Sequence, residues 1–303
     1  MCGMGFFGLA CGFVAGGVMR SGGVRRALGL SASRYTIPDQ PARFAQAVKE
    51  GNPRVLDIDQ VYAPESVKGK VVLVTGGNRG LGLAISQEMI AQGAEVIISS
   101  RAPATIDGAS MVVSGIDVQD NASGEKLVAG LGGKKIDILV NNAGYFYGPE
   151  EKMDTHLNFE EELKMIDICA LGPLRLTTAL SNAGLLSEGA RVAMITSQGG
   201  STTWRTTQNP EGGDYGHHMS KAAANMMGVL VSQELKKKGI CVTMLHPGFN
   251  KTAMTKKYEH IWEIEGAVDP AVGAKRVVHE IAAMAMDKTG VFINCEDGLE
   301  IPW

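Results

Sequence analysis

Val71-Val72-Leu73-Val74-Thr75-Gly76-Gly77-Asn78-Arg79-Gly80-Leu81-Gly82 decides the fold. A short β-branched run ends in glycines, and the glycines open directly onto a helical pattern that runs to about Gln92. A glycine triplet alone is as consistent with an ordinary tight turn. With a strand before it and a helix after it, the backbone can turn sharply and approach a pyrophosphate, whose charge meets the amides and dipole of the helix N-terminus. Gly76, Asn78, Arg79, Gly80, Leu81 and Gly82 are therefore expected to line a dinucleotide site.

Outward from this loop, β-branched runs alternate with long amphipathic stretches. Strands are expected at 71–75, 95–99, 111–116, 136–141, 191–196, 240–245 and 291–295. Helical patterns lie near 81–92, 122–130, 160–182, 218–238 and 270–286. Continuous apolar strands separated by helices predict an α/β fold, a Rossmann-type doubly wound seven-stranded parallel sheet, as one domain over residues 68–303. The chain of 303 residues is 45% apolar and 20% charged, enough for a large core, which excludes disorder and coiled coil. A net charge of −3 gives no basic footprint, so nucleic acid is not an expected partner. Cys2, Cys11, Cys169, Cys241 and Cys295 have no metal or disulfide spacing, and no metal site is expected.

Upstream, residues 1–34 form an apolar segment with an N-terminal run, Met1 to Met19, that carries no charge. That run barely reaches the ~20 residues of a membrane span. Gly8, Gly12 and Gly16 share one helix face, which suits a membrane-protein partner, and Arg20, Arg25, Arg26 and Arg34 follow. The segment reads as a retained anchor or a mitochondrial or plastid targeting peptide, or alternatively as an extension of a cytoplasmic protein. Residues 35–67, with Pro38, Pro41, Pro53 and Pro64, are expected to be a connector holding one short helix near 42–49.

Charge at the ribose selects the cofactor. An acid ending the second strand would accept the 2′-hydroxyl of NAD and repel a 2′-phosphate. Ser100 stands there instead, with Arg101 next and Arg79 in the glycine loop, so NADP(H) is expected.

The Thr75 to Gly82 spacing resembles the short-chain dehydrogenase/reductase family, and further pieces follow in that family's order over 68–303. Asp117-Val118 matches its adenine-contacting pair, Asn141-Asn142-Ala143-Gly144 its motif after the fourth strand, and Pro247-Gly248 with Thr252 its motif beside the nicotinamide. Ala170-Leu171-Gly172-Pro173-Leu174, Met219-Ser220-Lys221-Ala222-Ala223 and the ending Gly298 to Trp303 are similar to the group of small carbonyl reductases that includes sniffer and C-factor. The resemblance implies a homo-oligomer built through the long helices.

The same resemblance places Ser197 and Lys221 at the catalytic serine and lysine, but His217 stands where the family has its proton-donating tyrosine. Tyr215 is six residues from Lys221 and would point roughly 120° from that face of a helix. Cys169 occupies the position of an asparagine that supports a proton relay, and a thiol is a weak donor and acceptor. A neutral imidazole next to a lysine can still donate a hydrogen bond to a carbonyl. Three outcomes stay open: a reductase of small-molecule carbonyl compounds that uses His217, a cofactor-binding pseudoenzyme serving as an accessory subunit of an organellar membrane complex, or an enzyme of altered chemistry. The stretch 249–268, with Met254, Tyr258, His260, Trp262 and Ile264, lies where the family has its substrate lid.

Overall fold

The computed structural model describes residues 35–154 and 157–303. Seven parallel strands form one sheet: β1 (Val71–Thr75), β2 (Glu95–Ser100), β3 (Met111–Ser114), β4 (Ile136–Asn141), β5 (Leu186–Ile195), β6 (Cys241–His246) and β7 (Phe292–Asn294). Their order is β3-β2-β1-β4-β5-β6-β7, so the winding reverses between β1 and β4. Thr75 is in register with Ser99, Asn141 with Met194 and His246 with Asn294, which aligns the carboxyl ends of the strands along one edge. Such an edge, at the reversal point, is where this topology binds ligands.

Two apolar clusters cover the two faces. Leu73, Ile97, Leu139, Val192 and Val242 point into one; Val72, Val74, Val96, Ile98 and Val140 point into the other. The strands read as continuous apolar runs because both faces are buried.

The helices in chain order are α1 (Gln40–Glu50), α2 (Pro53–Leu56), α3 (Gly80–Ala91), α4 (Ser123–Leu131), α5 (Phe159–Ile166), α6 (Gly172–Asn182), α7 (Thr202–Gln208), α8 (Tyr215–Lys236) and α9 (Pro270–Ala282). The single helical pattern expected over 160–182 is divided by a π turn at Asp167–Leu171. Pro173 has no N–H to give to the carbonyl four residues back, at Cys169, and so the regular ladder cannot pass through. Strand β5 begins five residues before the expected start, and α7 and the 3₁₀ segment Ala253–Ile261 lie where no regular element was expected.

The segment 35–67 is more than a connector, because Tyr35 to Trp303 forms one compact unit. Asp39 caps α1 by accepting from the Ala42 N–H at 2.8 Å, Pro41 starts the helix, and Gly51 closes it in the left-handed region. This matches the short helix expected near 42–49. Residues 1–34, read as anchor, targeting peptide or extension, lie outside the described residues. No helix among the described residues is long and apolar enough to cross a membrane, and these residues hold no cluster of metal-ligating side chains.

Candidate active site

The glycine loop joins β1 to α3 at the reversal point. Thr75 Oγ1 accepts from the N–H groups of Asn142 and Ala143, each at 3.0 Å, and Asn142 Nδ2 donates to the Thr75 carbonyl at 3.0 Å. These bonds stitch the ends of β1 and β4 together and leave a bare cradle beside them. A Cβ at Gly82 would lie 2.3 Å from Asn142 Nδ2 and 2.5 Å from the Gly76 carbonyl oxygen. Gly76 itself has φ +64°. Arg79, the N-cap of α3, makes no side-chain cap, so no side-chain oxygen meets the first amides of that helix. The donor set fits a phosphate.

The other expected cofactor residues gather on the same edge. Ser100 is buried at the end of β2 and donates to the Ala102 carbonyl at 2.6 Å, while Arg79 and Arg101 are exposed. No carboxylate ends β2. Asp117 Oδ1 accepts from the Gln119 N–H at 3.1 Å, and the Val118 carbonyl accepts from Arg175 at 2.9 Å. Asn78, Leu81, Ala143, Gly144 and Pro247 are half-buried. Gly248 is buried with φ +81°. Thr252 donates its N–H to Thr255 Oγ1 at 3.0 Å and caps the 3₁₀ segment 253–261.

Ser197 follows β5, and its Oγ accepts from the Gly199 N–H at 3.0 Å. His217 and Lys221 lie one turn apart on α8. The Ser197 loop rests directly on that helix, since a Cβ at Gly200 would lie 2.6 Å from the Lys221 carbonyl oxygen. A Cβ at Gly199 would meet His217 Nε2 at 3.0 Å and both Ser197 Oγ and His218 Nδ1 at 3.2 Å, so these polar atoms pack against the Gly199 backbone.

His217 is held well below the usual histidine pKa, mainly by burial and then by the charge of Lys221, with His218, Arg205 and Lys257 adding to it. Its ring is therefore neutral at neutral pH and offers one N–H donor. Nδ1 is buried and has no partner among the described residues. Phe146 packs edge-on against the ring with centroids 5.0 Å apart. Above Phe146 stands the lid: Lys257 Nζ is 4.3 Å from its ring centroid, and Tyr258 closes onto the N-cap of α8 by donating to Asp214 at 2.9 Å. Cys169 is buried on the π turn, its thiol 3.5 Å from the Tyr145 carbonyl.

Sequence reasoning found Ser197, His217, Lys221 and Tyr258, and the fold brings them to one place. It missed Phe146 and Lys257, whose role depends on the lid folding over the segment after β4. Nothing in the motif spacing singles out His218. That ring is half-buried and bonds the Gly199 carbonyl at 3.0 Å, which braces the Ser197 loop. The adjacency of Tyr145-Phe146-Tyr147 to Asn141-Asn142-Ala143-Gly144 was an available signal for Phe146.

Comparison with known proteins gives a consistent family. The family model for short chain dehydrogenase matches residues 70–261. The chain is 34% identical over 242 residues to 1-hydroxy-2-glutathionyl-2-methyl-3-butene dehydrogenase of a Rhodococcus species, covering 77% of this chain and 99% of the relative. It is also 34% identical over 170 residues to the C-signal protein of Myxococcus xanthus, covering 55% of this chain and 93% of that one. Among solved structures, an NADPH-bound carbonyl reductase from chicken fatty liver superposes with TM-score 0.66 at 25% identity, over 78% of this chain and all of that one.

Proposed function

The chain belongs to the short-chain dehydrogenase/reductase family, and on that footing we propose that it is an NADP(H)-dependent oxidoreductase that reduces a modest apolar aldehyde or ketone. The reading rests on one observation, that Ser197 Oγ and His217 Nε2 both lie against Gly199, beside the helix that carries Lys221. The bare glycine cradle, the absence of an acid at the end of β2 and the exposed Arg79 and Arg101 support NADP(H) as cofactor.

When bound, NADPH supplies the hydride. Ser197 already accepts from Gly199, so its hydroxyl proton is free to point at the carbonyl oxygen. Neutral His217 adds a second hydrogen bond, Lys221 adds positive charge where the alkoxide forms, and the alkoxide takes its proton from the His217 N–H, which is reprotonated from solvent. Phe146 packs between His217 and Tyr258, with ring centroids 5.0 Å and 6.3 Å away.

A second reading, an NADP(H)-binding subunit without turnover, is favoured by the burial that keeps His217 unprotonated and so removes an acid. NADPH oxidation across an aldehyde panel separates the two. In the first reading, turnover falls about 10²-fold in His217→Ala and is restored or raised in His217→Tyr. NADPH that binds tightly to all three proteins with no oxidation in any would establish the second.

A further inference from the structure

The helix upstream of the dinucleotide domain reaches the active site through a buried polar cluster. The Arg43 side chain is 5% exposed and the Glu296 side chain 4% exposed, and their charged ends are 2.9 Å apart. Arg43 Nη2 also donates to Gln198 Oε1 at 3.0 Å, and Gln198 directly follows Ser197. Gln40, three residues before Arg43, donates to Glu296 Oε1 at 3.0 Å and to the Glu265 carbonyl at 3.1 Å, and it accepts from Gln198 at 3.2 Å. Glu296 Oε1 in turn accepts the Phe249 N–H at 3.3 Å, just past Pro247-Gly248. Its Cγ lies 2.6 Å from where a Cβ at Gly248 would stand. At the end of the lid, Gly266 packs against the ring of Phe44 on the same helix.

Three segments of the site are thus held by one helix: the Ser197 loop, the Pro247-Gly248 turn and the root of the lid. The Ser197 loop follows β5, whereas the turn and the lid root both belong to the connection from β6 to α9, where the Val268 N–H donates to the Phe249 carbonyl and the Lys251 N–H to the Val268 carbonyl. A buried ion pair adds little stability, because desolvation offsets its attraction; here its hydrogen bonds to Gln198 and Glu296 join two loops. A planar guanidinium with several forked donors can bind two loops in one register, which an ammonium cannot do.

We propose that Arg43, with Gln40 and Glu296, is a positioning residue that sets the Ser197 loop, the Pro247-Gly248 turn and the lid root in register for reaction. The expected effect on turnover rests on the carbonyl-reductase reading; the effect on the loops does not. The test compares the wild-type chain with Arg43→Met/Glu296→Gln, which neutralises the pair and leaves the buried Arg276 guanidinium, 4.0 Å from Glu296 Oε1, without that partner, and with Arg43→Lys.

Hydrogen exchange at residues 197–201 and 249–268 is expected to quicken about tenfold or more in the double variant, with residues 71–100 unchanged. NADPH affinity stays within about threefold, while kcat falls about 10- to 100-fold, since small displacements near reacting atoms are costly. Arg43→Lys is expected to keep the melting temperature but recover less than half of kcat, because it restores charge without the fork. Unchanged exchange in both loops, or an increase spread evenly over the chain, would overturn the proposal. If the wild type oxidises no NADPH with any aldehyde, the reductase reading falls and the exchange pattern still decides this one.

Discussion

Arg79 and Arg101 stand at the exposed ends of adjacent strands, one in the glycine loop after β1 and one just past β2. A hydrogen bond to a charged group contributes about 1.5–3 kcal/mol, which converts to roughly 10- to 100-fold in affinity. Arg79→Ala and Arg101→Ala are each expected to weaken NADPH by that factor and to change NADH by less than about threefold. Fluorescence titration with both nucleotides checks this, and an equal loss for the two would refute the 2′-phosphate assignment. His217 shows the limit of a residue-scale reading. Sequence places it four residues before Lys221, but only the folded site shows that Phe146, Lys257 and the Ser197 loop enclose it and keep it neutral.

At the scale of the element, α3 carries two opposing effects at Gly82. Alanine gains up to about 1 kcal/mol of helix propensity over glycine. Its Cβ, however, would press within 2.5 Å of both Asn142 Nδ2 and the Gly76 carbonyl, and forcing apart packed atoms costs about 1–3 kcal/mol. The clash is with backbone and with a bonded amide, so it wins. Gly82→Ala should lower the melting temperature and raise the NADPH dissociation constant at least about tenfold; calorimetry and titration measure the two, and a gain in stability would show that the cradle has slack. This element was legible because its code is local: apolar strand, glycines, then helix. The π turn before α6 was not, since Pro173 reads as a helix start as easily as a break. Helix α7 was missed because its burial rests on one residue, Trp204, beneath Arg43.

At the scale of the molecule, the polar cluster under the carboxyl edge ties stability to pH. His246 is fully buried with neither ring nitrogen bonded among the described residues, and burial pushes its pKa down to about 4 despite the nearby Glu296 carboxylate. An unfolded histidine titrates near 6.5. Between these values the unfolded chain binds more protons, so stability falls as pH drops through that window, by about 2 kcal/mol from pH 7 to pH 5 for this ring alone. His217, also depressed, adds in the same direction. Burial would raise the Glu296 pKa, yet Arg43, His246 and Arg276 hold it below the usual carboxylate range, so its contribution is lost at still lower pH. Urea midpoints should fall from pH 7 to pH 5 in the wild type and fall less in His246→Gln. A flat wild-type profile would mean that these rings protonate inside the fold.

Local code carried the fold and the phosphate cradle, because strand composition, glycine spacing and helix periodicity act between neighbours in the chain. The expected positions of Ser197, His217 and Lys221 were likewise readable, since two share one helix and the third lies just past the end of a strand. What only the tertiary structure decided is how distant segments meet: Arg43 with Glu296 across 253 residues, the lid with Phe146, and the burial that sets the charge of His217. Burial and long-range pairing arise from packing whole elements together, and no window of sequence contains both partners.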